Sequence, residues 1–71
     1  MPKMPVRSPK QVEKILKKHG FILQRQSGSH RTFLNLKTEK VTVVPMHSRD
    51  LATGTLRSII KQAGLTVEDF K

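Results

Sequence analysis

Phe21-Ile22-Leu23-Gln24-Arg25-Gln26-Ser27-Gly28-Ser29-His30-Arg31-Thr32-Phe33-Leu34-Asn35-Leu36 reads as two strands around a tight turn. The first strand, Phe21 to Gln26, carries its apolar residues at the start and is bounded by glycine on both sides. Ser27-Gly28 supplies the turn, and Ser29 to Leu36 is the second strand. Polar Lys37-Thr38-Glu39-Lys40 makes the next turn. Val41-Thr42-Val43-Val44 is β-branched throughout and forms a third strand, stopped by Pro45, which has no N–H to give to a ladder. Connections this short predict an antiparallel meander.

Helices flank the meander. Ser8-Pro9-Lys10-Gln11 is a helix start, with Ser8 as N-cap, Pro9 at the first helical position and Gln11 closing a capping box. Val12, Ile15 and Leu16 recur at helical spacing with His19 one turn on, and Gly20 suits the left-handed residue that ends the helix. After a loop from Met46 to Leu51, Thr53-Gly54-Thr55 offers N-cap candidates for a second helix. That helix carries Leu56, Ile59, Ile60 and Ala63 on one face, with Gly64 at its end. Thr66 with Asp69 predicts one further helical turn. The expected fold is α+β, ordered α-β-β-β-α, a three-stranded antiparallel sheet with two helices on one face. The double-stranded-RNA-binding domain has the same order, but order alone does not establish function. Met1 to Arg7, Pro-rich and basic, reads as a loose arm; residues 8–71 read as a single domain.

Seventy-one residues suffice for one thin core, with no material left for a deep enclosed pocket or a large cofactor. Phe21, Phe33 and Phe70 are the only aromatic residues besides histidine and read as core. With no cysteine, disulfides, thiolate chemistry and Cys-based zinc sites are excluded. The three histidines and five acids show no ligand spacing, so no metal site is expected. Fourteen Lys and Arg against five Asp and Glu give a net charge of +9, a field that attracts polyanions. No apolar run approaches a membrane span or a signal-peptide core, so a nucleic-acid partner in the cytoplasm is expected rather than a membrane.

Several residues carry possible chemistry. In Ser27-Gly28-Ser29-His30, two small residues leave room for a nucleic-acid backbone and place an imidazole where a turn enters a strand. An exposed imidazole populates both protonation states near neutrality, as general acid–base work requires. The same four residues also fit a plain hairpin followed by a polar strand residue. His47, just past the third strand, falls on the sheet rim, either facing His30 or simply solvated. His19, near the end of the first helix, fits packing or the helix dipole better than catalysis. Lys10, Lys14, Lys17 and Lys18 fit a plain solvated helix face, but they outnumber Glu13, the one acid on that helix, and so also suit a phosphate-tracking surface. Arg25 and Arg31 flank the turn, and Arg forks onto phosphate oxygens better than Lys. With stacking aromatics scarce, recognition should rest on backbone and shape.

Three stretches together resemble the HicA family of toxin ribonucleases: Gly20-Phe21 with Gln26-Ser27-Gly28-Ser29-His30, Val43-Val44-Pro45-Met46-His47, and Gly54 to Leu65. The likeness runs from about Ser8 to Phe70. It implies the toxin of a bacterial or archaeal toxin–antitoxin pair, a double-stranded-RNA-binding fold adapted to cleave messenger RNA, with His30 as catalytic residue and a HicB-type antitoxin as partner. The Pro-rich extension Met1 to Arg7 departs from the family pattern.

The residues fit that chemistry. Without cysteine or a metal-ligand constellation, the attacking group is the substrate's own 2′-hydroxyl. His30 serves as general base or acid and His47 as its complement. Arg25, Arg31, Lys14, Lys17 and Lys18 hold the RNA backbone beside Ser27, Gly28 and Ser29. Two other classes stay open on sequence: a non-catalytic double-stranded-RNA-binding module, and an interaction protein with an acidic partner.

Overall fold

The computed structural model describes residues 3–47 and 49–71. Met1 and Pro2 of the predicted arm and Ser48 of the Met46–Leu51 loop lie outside the described residues. Helix α1 spans Pro9–Lys18, strands β1, β2 and β3 span Phe21–Ser27, His30–Asn35 and Val41–Pro45, and helix α2 spans Thr53–Ala63. A 3₁₀ turn at Val67–Phe70 follows. The sheet is antiparallel in the order β1-β2-β3, the predicted meander.

The start of α1 is as the sequence predicts. The Ser8 hydroxyl accepts from the Gln11 N–H at 3.2 Å, and the Gln11 side chain accepts from the Ser8 N–H at 2.8 Å. Gly20 adopts φ +93° beyond the His19 cap, opening the way into β1. The hairpin closes on Gly28 at φ +57°, and Ser29 is not left-handed, the φ pattern of a type II′ turn. The turn therefore sits one residue later than predicted. Ser27 still pairs with His30 and belongs to β1, because the two-residue turn is Gly28-Ser29.

Helix α2 corrects a second expectation. Its N-cap is Ala52, without a side-chain cap bond, and Thr53 and Gly54 lie inside the first turn. The cause is tertiary: Leu51 is buried in the core and its N–H donates to the Arg7 carbonyl at 2.9 Å. The chain is thus held one residue before the extended N-cap Ala52, and Thr53 is the first helical residue. At the other end Gly64 takes φ +70°, and Leu65 N–H returns to the Ile60 carbonyl.

One core lies between the sheet and the two helices. Val12 and Leu16 of α1 and Leu56, Ile59, Ile60 and Ala63 of α2 meet Phe21, Phe33, Val44, Leu51 and Phe70. Met4 packs against this cluster. All three phenylalanines are buried, as predicted. Two buried polar residues are satisfied within the core layer. Thr42 donates to the Gln62 side chain at 2.9 Å, joining β3 to α2. Asn35 donates to the His19 carbonyl and accepts from the N–H groups of Lys37 and Thr38, fastening the end of α1 to the β2–β3 turn.

Candidate functional site

Directly opposed residues of an antiparallel sheet point to the same side. The registers therefore divide the side chains into two faces. Toward the helices stand the rows Phe21–Asn35, Leu23–Phe33–Thr42 and Gln26–Arg31–Val44. On the open face stand Ile22–Leu34–Val41, then Arg25–Thr32–Val43, then Ser27–His30–Pro45. A register shift between Leu23 and Arg25 keeps Arg25 on the open side. His30 therefore occupies the last row of the open face, at the hairpin end, and is exposed.

His47 leaves the sheet at that same end. The Met46 N–H donates to the Ser29 carbonyl, extending the ladder one step past the His30–Pro45 pair. His47 lines a cleft with Ser8, Pro9 and Lys10 at the start of α1. The fold thus brings both histidines to one end of the sheet, but no hydrogen bond joins them.

The basic residues separate. Lys10, Lys14 and Lys17 line an open groove on α1 together with Glu13, in the helix layer. Lys18 is exposed on the same helix. Arg25 stands on the opposite, open face. Arg31 points into the helix layer, where its Nη1 donates to both Glu13 oxygens at 2.9 and 3.1 Å. Lys17 reaches Glu13 as well, at 3.3 Å. Glu13 is the more buried partner, with side-chain exposures of 13% for Glu13 and 30% for Arg31. Much of the Arg31 charge is consequently spent within the fold. Lys10 is the residue the sequence reading underweighted: it borders both the groove and the cleft beside His47. Its spacing with Lys14 and Lys17, one helical stripe, is the signal that identifies it.

His19 has a structural setting. Its Nδ1 lies 3.0 Å from the Ile15 carbonyl, and its Nε2 lies 3.5 Å from the Asp69 carboxylate. The Thr66 N–H holds the Asp69 carboxyl below its ordinary range, aided by the Thr66 hydroxyl and to a lesser degree by His19. The ring thereby links the end of α1 to the C-terminal turn. Among the described residues, no group of three or more His, Asp and Glu side chains converges as a cation site would require. Among the described residues, no helix is long and apolar enough to cross a membrane.

No curated protein matches the chain. The family model described as HicA toxin of bacterial toxin-antitoxin matches residues 9–65. The match begins at the first residue of α1 and ends just past α2, so it takes in the hairpin, both histidines at its turn end and the lysine stripe. With the α-β-β-β-α order already established, this chain belongs to the HicA toxin family, whose members are the toxins of toxin–antitoxin pairs.

Proposed function

We propose that the chain is an endoribonuclease that cleaves messenger RNA in the cytoplasm by histidine acid–base catalysis and is silenced by a HicB-type antitoxin. The observation that carries this reading is the exposure of His30 beside a turn of two small residues, Gly28 and Ser29, at the same sheet end as His47. A phosphodiester backbone can approach such a turn closely, because Gly28 has no neighbour within 4 Å of where a Cβ would stand. RNA lies along the Lys10–Lys14–Lys17 stripe and reaches the histidines where Lys10 meets His47.

One imidazole, assigned to His30, takes the proton of the substrate 2′-hydroxyl as its oxygen bonds to phosphorus. The 5′-oxygen leaves with a proton from a second group, assigned to His47. The products are a 2′,3′-cyclic phosphate and a 5′-hydroxyl. Arg25 and the α1 lysines stabilise charge on the phosphorane. In this reading side chains carry the proton transfers.

The test is cleavage of a labelled RNA by purified protein in chelator, comparing wild type with His30→Ala. The expected loss is roughly 10²–10⁴ in rate, with an unchanged circular dichroism spectrum because His30 lies outside the core. An all-deoxy strand should remain intact. A folded His30→Ala protein that cuts at the wild-type rate removes the assignment. RNA retention without cleavage by the wild type would favour the non-catalytic binding module, which the same basic stripe would serve.

A further inference from the structure

Cations reach the candidate site from both faces of the sheet. Lys10, Lys14 and Lys17 line the groove on α1 in the helix layer, and Lys10 also borders the cleft lined by His47. His47 follows Met46, whose N–H donates to the Ser29 carbonyl, so it leaves the sheet at the end where His30 pairs with Pro45. His30 opens onto the other face, and Arg25 lies in the next row of that face. Lys17, Lys14, Lys10, His47, His30 and Arg25 thus trace one path. It starts on the helix layer, turns around the hairpin end and finishes on the open face. At the bend the surface is open: Ser27, Gly28 and Ser29 are all exposed, and nothing lies within 4 Å of where a Gly28 Cβ would stand. Arg31 is held by Glu13 in the helix layer, so Arg25 is the turn arginine that can meet a phosphate on the open face.

We propose that the substrate is single-stranded RNA bent around the hairpin end, its backbone held on one side of the scissile phosphate by Lys10, Lys14 and Lys17 and on the other by Arg25. Stiffness and chemistry both select a single strand over a duplex. A base-paired helix resists bending over a few base pairs, so it can lie against the α1 lysines or against the open face but cannot turn from one to the other. A single strand rotates about its backbone at every nucleotide and follows the bend. The chemical part rests on the reading of His30 and His47 as the proton-transfer pair. Attack by the 2′-hydroxyl needs that oxygen, the phosphorus and the departing 5′-oxygen in line, and stacking in an A-form helix holds the 2′-hydroxyl to the side of that line. A strand drawn around a tight turn is unstacked at the bend, which is where the two histidines stand. An element order shared with double-stranded-RNA-binding domains therefore serves a different substrate class here.

The experiment measures binding apart from cleavage. A short 2′-O-methyl RNA, which lacks the attacking hydroxyl, is titrated with the protein over a salt series, once as a single strand and once annealed to its complement. The single strand should bind about tenfold or more tightly. Each phosphate contact removed from a single strand flattens the slope of log K against log salt by about 0.7. Lys10→Ala/Lys14→Ala and Arg25→Ala should therefore each flatten the slope, and the combined variant should flatten it by the sum. Arg25→Lys, which keeps the charge, should restore it. All three side chains are exposed, and an unchanged circular dichroism spectrum shows that the variants fold.

A duplex bound within twofold of the single strand overturns the proposal. A single-strand slope that responds to the lysines but not to Arg25 confines RNA to the helix layer, and the reverse confines it to the open face; either result overturns the path. The same sequence with its 2′-hydroxyls separates this inference from the catalytic reading. The expected binding pattern without cleavage would remove the catalytic assignment and leave the path standing. Cleavage of the duplex at the single-strand rate would overturn the substrate class and leave the catalytic assignment in place.

Discussion

Arg25 and Arg31 look equivalent in the sequence, one on either side of the Ser-Gly turn, yet the sheet register sends them to opposite faces. Arg25 is free of ion pairs among the described residues, whereas Arg31 is bonded to a largely buried Glu13. The two substitutions should separate accordingly. Arg25→Ala should weaken RNA binding and reduce the magnitude of the slope of log K against log salt by about 1, with melting temperature unchanged. Arg31→Ala should lower stability by roughly 1–3 kcal/mol because Glu13 loses its main donor. Filter binding over a salt series and thermal unfolding check both, and identical behaviour of the two variants would refute the division. Asp69 gives a pH prediction at the same scale. Its carboxyl is depressed in the folded state, so its contribution is fully present above the ordinary carboxylate range and is lost as pH falls through the lower folded value. The C-terminal turn should therefore loosen in acid before the sheet does. Amide resonances of Thr66 and Phe70 report this, and Asp69→Asn should abolish the acid transition in those signals.

At the scale of elements, α1 and α2 are built with unequal care. Helix α1 has a full capping box and a proline at its first turn, while α2 begins on Ala52 with no side-chain oxygen to meet its first N–H groups. Ala52 is exposed and extended, with ψ 147°, the conformation a capping serine adopts. Ala52→Ser should therefore raise stability by about 0.5–1 kcal/mol, measurable as a shift in urea midpoint at constant m-value. No gain would mean that Leu51, held by the Arg7 carbonyl, already fixes the helix start. The β2–β3 turn depends on Asn35 in place of a favourable turn sequence. With its side chain taking three hydrogen bonds, the turn can carry Glu39 at φ +61°, a conformation that non-glycine residues rarely adopt.

For the whole molecule, the +9 charge is distributed by the layers. Helix α1 carries exposed Lys10, Lys14, Lys17 and Lys18, so Lys14, Lys17 and Lys18 changed together to Ala should flatten the salt slope by about 2–3. Equilibrium binding to a short RNA between low and moderate salt measures it. An unchanged slope would place the RNA away from α1, leaving Arg25 and the hairpin to hold it. The triple substitution should leave the core intact, because none of the three side chains is buried.

Local chemistry was enough to write most of the fold from sequence. Ser8, Pro9 and Gln11 define a helix start through bonds between near neighbours, glycines mark the points where the chain must turn left-handed, and β-branched Val41 to Val44 cannot easily be anything but a strand. The residues of the candidate site were legible as residue types: a histidine after two small residues, a second beyond a proline, lysines on one helix. Their grouping was not. Whether an arginine faces the helices or solvent depends on register, and register depends on the single-residue irregularity between Leu23 and Arg25 and on a turn at Gly28-Ser29 instead of Ser27-Gly28. The start of α2 depends on Arg7, far away in the chain, and the occupation of Arg31 depends on Glu13, eighteen residues before it. Sequence by itself determined the elements and their order, because propensity and capping act over a few residues. Only the tertiary structure decided which cations are spent, which apolar residues stay exposed and which face carries His30, because those follow from contacts between segments distant in the chain.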